Sequence, residues 1–218
     1  LSQLPPPLPF RNFVHAALRG LSPAEHEGFF RDMLSDVDTP TAPFGLLDVQ
    51  GDGSAIAEAR CWLPQQLSDN LHRTAQTLGA TPAALCHLAW ALVLSRCCNR
   101  DDVVFGTVLF GRMQGGGGIE RAIGLFINAL PIRVHCDGPA LAALRQTQQT
   151  LLALMRHEHA SLSLAQRCSA VPPPAPLFSS LLNYRHSTQA GGLNIAGIEL
   201  LASEERSNYP FDLSVDDL

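Results

Sequence analysis

The chain has 218 residues and a mass of 23.5 kDa, which allows one large domain or two small ones. With 46% apolar and 16% charged residues it can fill a core, which excludes an intrinsically disordered chain. The net charge is −5 and all 15 cations are arginine, so a generic nucleic-acid or anionic-membrane binder is disfavoured, as is any lysine-based Schiff base, phosphate loop or general base within these residues.

The opening LSQLPPPLPF holds four prolines and reads as an extended linker or element boundary, without the basic and apolar regions of a signal peptide. A helix is predicted at 22–34. Ser22 would cap it, Pro23 would take its first turn, and Glu25 would close a capping box. Phe29, Phe30, Met33 and Leu34 form its apolar stripe. Residues 36–55 read as a long loop, followed by a short strand at Ala59–Leu63 and a helix at 65–78.

Thr81 and Pro82 start the strongest helix, 81–97. It is apolar on nearly every face and therefore expected to be buried. Val103 to Phe110 reads as a buried strand, followed by a glycine-rich loop at 111–118. A second strand covers 125–135, where Pro131 demands an edge, a bulge or an irregularity. A long amphipathic helix at 139–157 and a proline-rich break at 171–176 follow. Three further strands are predicted in LFSSLLNYR, IAGIELLA and YPFDLSV. Strands interleaved with long helices give an α/β or α+β layered sandwich, with a mixed sheet packed by helices. No apolar run is long enough to span a membrane.

The six cysteines, Cys61, Cys86, Cys97, Cys98, Cys136 and Cys168, form no C-x-x-C pair. They read as reduced thiols in a cytoplasmic protein, with Cys86 the best candidate for core filler. No metal site is expected. The four glycines Gly115–Gly118 lack both the dinucleotide fingerprint and a following lysine, so they read as a mobile loop. His157-Glu158-His159 reads as a solvated helix end, because an i, i+2 pair does not face one metal from a helix. His87 reads as a hydrogen-bonded core histidine, and none of the scattered histidines marks a catalytic triad. Asn128 and Arg133 stand out in an apolar strand. Arg133 is either paired with a carboxylate or lies at the rim with its head in water, and the residues alone leave both open.

These residues carry a resemblance to the C-terminal half of a condensation domain from a non-ribosomal peptide synthetase. IGLFINALPIR at 123–133 is similar to the family pattern [I/V]-G-x-F-[V/I]-N-x-x-x-x-R, and FGTVLFGRMQGGGGIERAIG resembles the strand and loop that precede it. Phe10-Arg11-Asn12-Phe13-Val14 resembles an aromatic-x-Asp-aromatic-Ala motif at the lobe junction, with Asn12 in place of Asp. His157-Glu158-His159-Ala160-Ser161-Leu162 resembles a degenerate His-Gln-Asp-x-Pro motif. Glu205-Arg206-Ser207-Asn208-Tyr209-Pro210 resembles Arg-Asp-x-Ser-Arg-Asn-Pro. The matches run in family order over nearly the whole chain.

The resemblance implies one chloramphenicol acetyltransferase-like lobe. Residues 1–20 would form the lobe junction and start of the lobe, and 21–218 the acceptor-side lobe. In the family two lobes form a V and join carrier-bound thioesters into a peptide bond. No cofactor is implied beyond the phosphopantetheine arms that carry the substrates. Implied partners are the N-terminal lobe, peptidyl and aminoacyl carrier domains and a neighbouring adenylation domain, in a cytoplasmic assembly of bacterial secondary metabolism. Neither nucleic acid nor membrane is implied.

The family's His-His-x-x-x-Asp-Gly motif is absent here, so no residue of this chain is expected to be catalytic and the chain alone is expected to be inactive. Gly124, Phe126, Asn128, Arg133, Arg206, Asn208 and Tyr209 are the implied structural and tunnel residues. Gly111, Arg112, Gly115 and Gly118 would belong to the floor loop. Arg133 would have lost its usual aspartate and is expected to be exposed or paired with another acid. A combined condensation and epimerisation subtype is implied by LPFRNFVHAALRG and GLLDVQGDGS. The alternative is a non-catalytic carrier-docking module of the same fold. The lobe junction is expected to be apolar enough for self-association.

Overall fold

The computed structural model describes residues 8–48, 56–111, 121–186, 201 and 205–218. Six α-helices and four strands are built from them: α1 Phe10–Arg19, α2 Pro23–Leu34, α3 Gln65–Leu78, α4 Pro82–Cys98, β1 Asp102–Leu109, β2 Asn128–His135, α5 Ala140–Arg156, α6 Leu162–Arg167, β3 Ser180–His186 and β4 Phe211–Asp217.

The sheet order is β2-β1-β3-β4. β1 and β2 are antiparallel, while β1–β3 and β3–β4 are parallel, so the sheet is mixed as expected. β2 lies at an edge, where Pro131 is tolerated. The Cys136 N–H donates to Asp101 O (2.6 Å), and Pro131 faces Gly106. Bonded pairs therefore alternate through Val134, Ile132 and Leu130, and the Pro131 nitrogen points away from β1 with no ladder bond lost.

The helix signals translate directly into caps. The Ser22 hydroxyl accepts from Glu25 N–H and the Glu25 carboxylate accepts from Ser22 N–H at 2.7 Å, a complete capping box. Thr81 Oγ1 accepts from Ala84 N–H at 3.1 Å, while Gln148 Oε1 of α5 accepts both the N–H and the hydroxyl of Thr81. That second pair of bonds ties α5 to the start of α4.

The core lies where α4 packs on β1 and β3, and α5 on β2 and α4. Phe105, Leu94, Leu130, Ile132, Leu154 and Leu182 are fully buried there. Trp90 donates to Ser180 Oγ (3.0 Å) and stacks on Phe211, joining α4 to β3 and β4. α4 is less enclosed than its composition predicts. It buries His87, Leu88, Trp90, Ala91 and Leu94, but leaves Leu92 and Val93 in solvent.

Several expectations are corrected. Residues 59–63 take no regular secondary structure and pair with no strand among the described residues, and Trp62 is 85% exposed. β2 begins at Asn128 rather than at Leu125. α1 and α6 form where no helix was predicted: α1 follows Pro9 directly, and α6 is capped by the Ser161 hydroxyl. The 36–48 loop is built into the fold, since buried Thr41 accepts from Val104 N–H at 2.9 Å and bridges Phe178. Cys86 is only half-buried and Cys168 is the buried thiol. Apart from Leu201, the IAGIELLA strand lies outside the described residues.

Candidate functional site

The predicted site residues of 123–133 fall along β2 and the segment that leads into it. At the far end, Arg133 is paired. Its Nε and Nη2 donate to the two Asp102 carboxylate oxygens at 2.9 and 2.7 Å, and Nη1 and Nη2 donate to the two oxygens of Asp36 at 2.6 and 2.9 Å. Nη1 also donates to Met33 O at 2.9 Å. The arginine side chain is 12% exposed, so two bidentate carboxylates and a carbonyl replace the water it gives up. Hydrogen bonding from Arg133 holds the Asp36 carboxyl down at about 2, and the same bonds, Asp102 first, raise the arginine further. The expectation that Arg133 finds another acid is met. The bonds join the end of α2, the start of β1 and β2, which makes Arg133 a structural clamp.

At the near end, Asn128 donates through Nδ2 to Glu158 O (2.9 Å) and Ala160 O (2.7 Å), so it holds the turn after α5. Phe126 is buried against Phe10 and Phe13 of α1, with ring centroids 5.2 and 4.6 Å away. Gly124 lies under Phe10, where a Cβ would come within 2.1 Å of the ring. Gly111 has φ +60°, and a Cβ there would meet Phe126 O at 2.2 Å. Asn12, the replacement in the junction motif, is exposed on α1.

The His157–His159 turn is not a solvated helix end. Glu158 is 1% exposed and His157 is buried, its ring stacked on Phe29 of α2 (4.1 Å, 8°) and its Nδ1 2.9 Å from His26 Nδ1. His159 meets the Phe13 ring edge-on. Burial pushes His157 down to about 4, with the charges of His26 and Arg156 adding to the effect. Histidine composition and spacing carry no sign of this, because Phe29 and His26 belong to a helix more than 125 residues earlier.

The remaining predicted residues do not join this group. Tyr209 is half-buried and stacks on Phe178 at 5.7 Å, while Arg206 and Asn208 are exposed before β4. Arg112, Gly115 and Gly118 lie outside the described residues. His87 behaves as predicted. Its Nδ1–H donates to Ala83 O at 2.7 Å, Nε2 accepts from the Thr107 hydroxyl at 2.8 Å, and burial pushes it down to about 4. A core histidine held in this way has no route to a substrate.

Sequence reasoning missed Asp217 at the end of β4. It accepts from Tyr184 OH, His72 Nε2 (2.9 Å) and His186 Nδ1 (3.1 Å). Burial opposes its ionisation, but the bonds from Tyr184 and His72 outweigh it and the carboxyl is lowered.

A shallow depression of about 400 Å³ beside Arg133 and His135 is lined by Phe29, Met33, Gln146 and Thr150. Among the described residues no group of three or more His, Cys, Asp or Glu side chains could hold a metal ion, and no single helix is long and apolar enough to cross a membrane. The site thus organises a scaffold: a clamp at one end of β2 and an aromatic junction at the other.

The mixed four-stranded sheet packed by helices is a chloramphenicol acetyltransferase-like fold, as its likeness to solved structures shows. A solved holo four-domain nonribosomal peptide synthetase, bound to AMP and glycine, shares it. The TM-score is 0.63 at 17% identity, over 74% of this chain and 13% of that one. The condensation domain of the Monacolin K polyketide synthase MokA matches with a TM-score of 0.55 at 17% identity, over 83% of this chain and 44% of that one.

The condensation-domain family model matches residues 49–217, and the chain belongs to that family. Malpibaldin synthetase of Mortierella alpina is 52% identical over 98% of this chain and 4% of its own length. Chondramide synthase of Chondromyces crocatus is 31% identical over 96% of this chain and 5% of its own length. The chain therefore spans only 4% and 5% of the length of these curated relatives. The relative at 52% is fungal and the bacterial one stands at 31%, so these relatives do not support the expected bacterial origin.

Proposed function

We propose that the chain is the C-terminal, acceptor-side lobe of a condensation domain in a non-ribosomal peptide synthetase. The observation that carries this reading is an apolar face without cover. α1 places Phe10, Phe13, Val14, Ala17 and Leu18 on one stripe, of which Phe10 and Phe13 pack on Phe126. Val14 (40%) and Leu18 (81%) remain exposed, as do Ile123 (82%), Leu125 (78%) and Ile127 (54%) in the segment that packs against α1. So much apolar surface around one junction marks an interface, and a second lobe is the partner the fold calls for. That this chain covers 44% of the MokA condensation domain supports the same division.

In this role the lobe supplies a wall of the substrate tunnel and Arg133 fixes its geometry. The opposite lobe supplies His-His-x-x-x-Asp-Gly. The substrates are thioesters on phosphopantetheine arms of carrier domains, with an adenylation domain as neighbour in a cytoplasmic assembly. Condensation coupled to epimerisation is the finer form of the reading.

A thioester condensation assay tests it. The 218-residue chain alone should give no peptide product above the free-thioester background. Fusion to the His-His-bearing region of malpibaldin synthetase should give turnover. Product from the chain alone, or a folded fusion without turnover, would overturn the reading. Carrier binding by such a silent fusion would identify a docking module instead.

A further inference from the structure

The facing nitrogens of His26 and His157 form a joint that tolerates one N–H and no more. The two Nδ1 atoms lie 2.9 Å apart across the gap between α2 and the turn after α5. At that distance one must donate and the other accept. A first added proton can sit on the donor ring's Nε2 and leave the bond intact. A second must sit on the accepting Nδ1, which sets two N–H groups head to head on two cationic rings.

We infer that His26 and His157 form an acid-sensitive latch that holds α2 against the 157–160 turn and opens when the accepting nitrogen is protonated. The latch is wired to the rest of the fold on three sides. His157 is stacked on Phe29, Asn128 holds the carbonyls of Glu158 and Ala160, and His159 packs on Phe13 of α1. Opening it therefore loosens the attachment of α1 as well as of α2.

The charged groups around the pair do not cancel the effect. α2 contributes Glu25, whose carboxylate is already engaged by Ser22. α5 contributes Arg156, which disfavours a second cation, and the turn itself contributes Glu158 and His159. α6 packs on α2 and brings Arg167, with Cys168, towards Glu27 and Arg31. Both latch histidines lie below the usual histidine range, chiefly through burial, and His157 reaches about 4. The sign follows. The folded state binds fewer protons than the unfolded chain, so the stabilisation is complete above the ordinary histidine range and is lost as pH falls from there towards 4.

The test compares the wild-type chain with His26→Asn, whose amide sits where Nδ1 was and can donate to His157 without ever titrating. Urea unfolding is followed from about pH 7.5 to about pH 4.5. Between about pH 6.5 and 4.5 the wild-type unfolding constant should rise more steeply, by up to about tenfold more per pH unit than that of the variant. Parallel profiles would overturn the latch. Proton NMR of the wild type provides a second arm that needs no variant. The C2 protons of His26 and His157 should titrate as a coupled pair below the ordinary range. Independent single steps near the ordinary value would equally overturn it.

Discussion

The face of the sheet under α4 and the face carried by α1 are written in similar residues but end in opposite environments. Under α4, Phe105, Leu94 and Leu182 are sealed, and the polar groups among them are satisfied: His87 by Ala83 O and Thr107, Trp90 by Ser180. On α1 an apolar stripe of equal regularity is held by three phenylalanines and otherwise opens to solvent. The first face is complete within the chain. The second is left open by this chain, and on the proposed reading its apolar residues are arranged for the surface of a second lobe. An amphipathic pattern therefore specifies that a face will be covered, without specifying by what.

The comparison is broken most forcefully from the sealed side. Phe105→Ala removes a fully buried ring that lies against His87 and should destabilise the chain by about 3–5 kcal/mol, read from the urea midpoint at constant slope. A loss below about 1 kcal/mol would mean that the α4 face is far looser than its burial indicates.

A smaller and local effect is expected at the hinge between the two faces. Gly124→Ala puts a methyl group 2.1 Å from the Phe10 ring. The ring must move, and α1 loses part of its hold on Phe126. The expected cost is about 1–2 kcal/mol, with amide exchange accelerated in α1 and unchanged in α4. Uniform acceleration would show that α1 and the core are one cooperative unit, which would erase the distinction between the two faces.

The two faces also differ in how far the sequence reveals them. Ser22, Thr81, the 103–110 run and Pro131 announce their roles through local chemistry, and caps, core strand and edge placement follow from a few neighbouring residues. The two ends of β2 depend on meetings that no local pattern encodes. Asp36 and Asp102 converge on Arg133 from 97 and 31 positions away, and His26 meets His157 across 131. The sequence therefore signals that Arg133 needs an acid but not which one. The degenerate motif at 157–162 looks solvated because its covering residues come from α2. The same logic explains the failed strand at 59–63, where a correct pattern lacks a partner among the described residues.

The subtlest test acts on the open face. Leu18→Ser and Leu125→Ser alter side chains that are 81% and 78% exposed and touch little of this chain, so each should change its stability by no more than about 0.5 kcal/mol. What they should change is association. An unpartnered apolar face drives the chain towards itself at high concentration, and sedimentation of the wild type should show concentration-dependent self-association that the double variant loses. The same double variant, fused to a His-His-bearing lobe, should lose turnover although its own fold is intact. Unchanged sedimentation together with unchanged turnover would mean that these leucines are ordinary surface residues and that the lobe boundary lies on another face. A loss of both with stability preserved would locate the boundary at α1, because no other change to a chain that still folds links self-association and catalysis through the same two side chains.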